Sequence, residues 1–65
     1  MDKDKEEKQV YEAKGMALMV YDGYTEAEIA EAFGVRAYVV ERRLHMIGHT
    51  YRELVEIREK RKQSG

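Results

Sequence analysis

The amino-acid sequence predicts an all-α fold, a compact domain of four helices. Three observations lead there. The chain is 38% charged, lacks proline and holds one phenylalanine, a composition that suits helices with long charged side chains on a solvated face. Its apolar residues recur at helical rather than alternating spacing. Two Thr-x-x-Glu boxes, at Thr25 and Thr50, and glycines at Gly23, Gly34 and Gly48 stand where helices would start and stop.

The segment 1–8 is almost entirely charged and has no apolar face to bury, so it is expected to be a frayed helical lead-in or a disordered arm. The folded domain is expected over 9–62, with a disordered tail at 63–65. In the first helix, Val10, Ala13, Ala17, Val20 and Tyr21 form a stripe that Met16, Leu18 and Met19 widen. Asp22 and Gly23 then stop it. Thr25 opens the second helix, because its hydroxyl can accept from the Glu28 amide while that glutamate reaches back. Ile29, Ala30 and Phe33 give this short helix its buried face, and Gly34 supplies the break. The third helix is expected from about Arg36 to Met46, with Val40 and Leu44 facing inward and Gly48 beyond its end. A fourth begins at the Thr50–Glu53 box and carries Leu54, Val55 and Ile57 before dissolving into REKRKQSG. The segments GYTEAEIAE and GHTYRELVE, 25 residues apart, match in Gly, Thr and both Glu; they read as two helices opened by the same cap chemistry.

Composition narrows the function. At 65 residues the chain is one small domain that buries only about 60% of its unfolded surface, which favours self-association. Without cysteine there is no disulfide framework and no zinc knuckle. Uncharged runs such as Gly15 to Tyr21 are far short of the roughly 20 apolar residues that span a bilayer, so a cytoplasmic protein with no membrane association is expected. The net charge of −1 conceals a split. Residues 1–33 set four lysines against nine acids, a net of −5; residues 34–65 set eight Arg or Lys against four Glu, a net of +4.

Within TEAEIAEAFGVRAYVVERRLH, Ala30 is small where a crossing helix must come close, and Gly34 follows four residues later. Val35 plugs the corner, and Val40 with Leu44 folds the next helix back across the first. The alanine, the glycine, the apolar residue after it and the valine ten past the alanine resemble the helix-turn-helix of repressor, Cro and regulator families. The segment IGHTYRELVEIREKR is also similar to the closing helix of AraC-type regulators. The first resemblance covers about a third of the chain and implies sequence-specific binding of double-stranded DNA by a homodimeric transcriptional regulator.

It further implies that the third helix enters the major groove and that Arg36, Ala37, Tyr38, Glu41, Arg42 and His45 face the bases. Arg36 and Arg42 lead this set, since arginine can donate two hydrogen bonds to guanine O6 and N7. Ala37 suits a thymine methyl, Tyr38 a phosphate or sugar, and Glu41 either accepts from cytosine or orients Arg42 by an ion pair. Backbone contacts are implied for Thr25 with the amides it caps, and for Arg43, His49, Thr50, Arg52 and the basic tail.

The plainer readings compete residue by residue. A surface arginine is often merely solvated, Arg43 and Arg58 included. His45 and His49 stand four apart, but Gly48 interrupts the helix between them and no third ligand is near, so no metal is expected. Thr25 and Thr50 have complete roles as caps, and no catalysis, cofactor or small-molecule substrate is expected. The apolar surplus at Met16–Tyr21 is expected to be shared in part between two subunits, giving a palindromic site. The alternative is a protein-interaction module on the same scaffold, whose acidic first half binds another regulator or polymerase.

Overall fold

The computed structural model describes the chain from Asp2 to Ser64, with side chains described from Asp4 to Lys62. Four helices follow in order: α1 (Asp2–Asp22), α2 (Glu26–Phe33), α3 (Ala37–Met46) and α4 (Tyr51–Ser64), with no strand among the described residues. The all-α, four-helix expectation holds. Two boundaries move outward. Helix α1 takes in the charged segment for which a frayed helical lead-in or a disordered arm was expected, and α4 runs to Ser64, into the segment expected as a disordered tail; Met1 and Gly65 lie outside the described residues.

Each corner is built the same way. The Val35 amide donates to the Ala30 carbonyl (2.9 Å) and the Gly34 amide to that of Glu31 (3.1 Å), which satisfies carbonyls left open at the end of α2. Gly34 sits at φ +68°, ψ +34°, a left-handed conformation that an L side chain adopts only at a penalty. The same pair of bonds recurs after α1, from Tyr24 to Met19 and Gly23 to Val20, and after α3, from His49 to Leu44 and Gly48 to His45. Both capping boxes form. The Glu28 amide donates to Thr25 Oγ1 (3.1 Å) and the Thr25 amide to Glu28 Oε1 (2.9 Å); Thr50 and Glu53 repeat the exchange at 3.1 Å each way.

The core gathers on α1. Ala13, Met16, Ala17 and Val20 fall at i, i+3, i+4, i+7 and meet Ile29 and Ala30 of α2, Val40 and Leu44 of α3 and Leu54 of α4, all buried. Phe33, Val35, Ile47, Tyr51 and Val55 close its margins. The Met16–Val20 stripe is therefore used within one chain. Leu18 alone of that run is left exposed, so the expected sharing between subunits finds no surplus here to rest on.

Helix α4 is tied to α1 by polar contacts that sequence spacing does not reveal. Arg58 Nη1 donates to the Val20 carbonyl at 2.7 Å, placing a cation at the carbonyl end of a helix with no basic residue in its own last turn. The Tyr51 hydroxyl donates to the Tyr24 carbonyl at 3.3 Å, joining the start of α4 to the α1–α2 turn.

Candidate nucleic-acid interface

Burial of Val40 and Leu44 against α1 and α2 fixes which side of α3 faces out. Arg36, Ala37, Tyr38, Arg42 and His45 are all exposed, Tyr38 by 59%. Arg36 occupies the N-cap of α3 in extended conformation, and its side chain makes no capping bond there, so its guanidinium is not engaged in holding the helix start. Five of the six expected base-facing residues thus lie on the solvent side of α3.

Glu41 does not join them. It is half-buried and lies against Glu26, the first residue of α2, while no ion pair joins it to Arg42 among the described residues. Burial raises the Glu26 carboxyl from its ordinary 4.5 to about 7, and a hydrogen bond and charge repulsion from Glu41 push the same way. A hydrogen bond between two carboxyls needs a proton on one of them. Glu41 thus faces Glu26 across the α2–α3 corner, and the ion pair by which it was expected to orient Arg42 is not made among the described residues.

The backbone-contact set also changes. The Thr25 and Thr50 amides already donate to Glu28 and Glu53, and those Glu amides already donate to the threonine hydroxyls. The capped amides expected to meet phosphates are occupied; what remains is each hydroxyl proton and the two first-turn amides that lie between the capped ones. The neighbourhood is also acidic, since Asp22 and Glu28 line the α1–α2 corner with Gly23 and Tyr24. Arg43 is half-buried, with its Nε shielded from solvent and without a hydrogen-bond partner, so its stem packs into the fold and only its terminal nitrogens can reach outward. Arg52 is exposed, and His49 is half-buried at the α3–α4 corner. Among the described residues, no three His, Asp or Glu side chains gather as a metal site, and no helix is long and apolar enough to cross a membrane.

A second cationic surface lies where α4 passes the end of α1. Tyr21, Arg58, Arg61 and Lys62 line an open concavity of about 300 Å³, with the Arg61 guanidinium 5.2 Å from the centre of the Tyr21 ring. Sequence reading leaves Arg58 open between a solvated and a functional arginine. No signal in the sequence could have found it, because its partner is a main-chain carbonyl 38 positions away.

A capped short helix, a left-handed glycine corner and a crossing helix with two exposed arginines define a helix-turn-helix protein of the DNA-binding class. The model of the ECF sigma factor family matches residues 3–60, which takes in all or most of every helix. The chain belongs to the ECF sigma factor family, whose members bind DNA and the RNA polymerase core in transcription initiation. No curated protein and no solved structure matches it. The resemblance to repressors, Cro and AraC-type regulators is corrected by this match. Its signature, Ala30, Gly34, Val35 and Val40, encodes the corner that helix-turn-helix proteins share, so it reports the motif and not the family.

Proposed function

We propose that this protein is a sequence-reading element of transcription initiation that lays α3 in the major groove of promoter DNA. The observation that carries the reading is the joint exposure of Arg36 and Arg42 on a helix whose opposite face is locked into the core. Each arginine can take a guanine through O6 and N7. Ala37 and His45 complete the base-facing surface, Tyr38 touches the sugar-phosphate edge, and Arg52 and His49 set position rather than sequence. The protein partner is the RNA polymerase core, as the family implies, so that DNA reading and protein docking share one small domain. There is no catalytic role. We take one copy as the binding unit, because Met16, Ala17 and Val20 are buried within a single chain.

Selection of bound duplexes from a random pool tests the reading. A defined, non-palindromic motif is expected. Arg42→Ala should relax preference at one base pair of that motif, a loss of about 1–3 kcal/mol of discrimination. Selection that returns no motif, or an Arg42→Ala variant with unchanged preference, would overturn it.

A further inference from the structure

Helices α2 and α3 meet at Gly34 and diverge from it, so the pose of α3 depends on what holds the open side of that angle. Glu26 and Glu41 stand there. Glu26 is the first residue of α2, at the end away from Phe33 and the corner, about 10 Å along the helix at roughly 1.5 Å per residue. It begins the inward stripe that Ile29, Ala30 and Phe33 continue, which is why a glutamate at a helix start is half-buried. Glu41 lies on α3 between the buried Val40 and Leu44, immediately before Arg42. It is the charged group that acts on Glu26, and no Lys, Arg or His of any helix forms an ion pair with either carboxyl among the described residues. An apolar pair at these positions would close the α2–α3 interface at every pH. Two carboxyls close it only while they share a proton.

We infer that Glu26 and Glu41 are positioning residues whose shared proton holds α3 in its DNA-reading pose, so that the chain binds duplex DNA more tightly with the pair singly protonated than with both carboxyls charged. The inference rests on the DNA-binding reading above. Two effects of losing the proton have the same sign. Like charges on the open side push α2 and α3 apart, and the added negative charge stands next to Arg42, beside a polyanion. The proton is held at low pH and lost as pH rises through about 7. Affinity is therefore full at pH 6 and falls towards pH 8, by up to about ten-fold if DNA takes the protonated form alone.

The test measures the full chain binding a fluorescent duplex that carries its selected motif, at pH 6 and pH 8 and constant salt, at a temperature where circular dichroism shows it folded at both. His45, one turn along α3 from Glu41, and His49 lose charge over the same range in every variant. The pair is therefore read from the difference in pH slope between the unaltered chain and Glu26→Gln, whose amide donates to Glu41 at any pH. Glu26→Gln should lose several-fold less affinity between pH 6 and pH 8, and at pH 8 should bind more tightly than the unaltered chain. Glu31→Gln removes a carboxyl from an exposed position of the same helix and should keep the original slope. An unchanged slope in Glu26→Gln, or an equal change in Glu31→Gln, overturns the inference. So does a Glu41→Gln variant that selects a different motif and keeps the slope, since Glu41 would then face a base. Carboxyl-carbon NMR of the free chain reads the pair without DNA: a last proton leaving near 7 is expected, and two ordinary titrations near 4.5 overturn the sharing. If the unaltered chain binds no duplex at either pH, the DNA reading falls and this inference with it. If it binds and Glu26→Gln changes nothing, that reading stands and this inference does not.

Discussion

Two residues show how single side chains set the behaviour of this fold. Glu26 is raised to about 7 by burial and by Glu41, so its protonated form is the one that suits the folded state. The sign follows from linkage: with a folded value above the unfolded 4.5, the stabilisation is complete below about 4.5 and is lost as pH rises through about 7. Thermal unfolding should therefore show a higher midpoint at pH 6 than at pH 8, and Glu26→Gln should remove most of that difference. Arg58 acts through geometry. Its charged hydrogen bond to the Val20 carbonyl is partly buried, so Arg58→Ala should lower stability by about 1–2 kcal/mol, with Arg58→Lys recovering part of the loss. Melting curves followed by circular dichroism at 222 nm measure both.

At the scale of the element, the helices were legible because their boundaries are local chemistry. Thr25 with Glu28, Thr50 with Glu53, and the glycines at 23, 34 and 48 each act within four or five residues, and every one does what its spacing predicts. The contacts that were not legible join distant parts of the chain. Glu41 meets Glu26, Arg58 meets Val20, and Tyr51 meets Tyr24, none of which any period in the sequence encodes. The same division explains the site. Exposure of Arg36 and Arg42 follows from helical phase, whereas the partial burial of Arg43 and the tie from Arg58 to the Val20 carbonyl depend on how distant helices pack. Gly15, inside α1, gives an element-scale prediction. A Cβ there would meet Phe33 Cζ at 3.5 Å, an ordinary contact, and glycine weakens a helix interior. Gly15→Ala should stabilise the protein by about 0.5–1 kcal/mol, a rise of a few degrees in the thermal midpoint.

At the scale of the whole molecule, the division of charge becomes a division of labour. The acidic residues concentrate on α1 and α2, and the basic ones on α3 and α4, so the even overall balance coexists with a cationic half able to meet a polyanion. The fold is also longer than its core. The first buried side chain of α1 is Ala13, while residues 4–8 are exposed, in a molecule 43 Å long and 21 by 14 Å across. Helical turns held only by their own backbone bonds open and close on their own account, without the rest of the protein following. Amides near Lys5 should thus trade their hydrogens for deuterium orders of magnitude sooner than those near Val20. Trypsin acting at Lys5 or Lys8 should trim this projecting stem and leave the four-helix body intact.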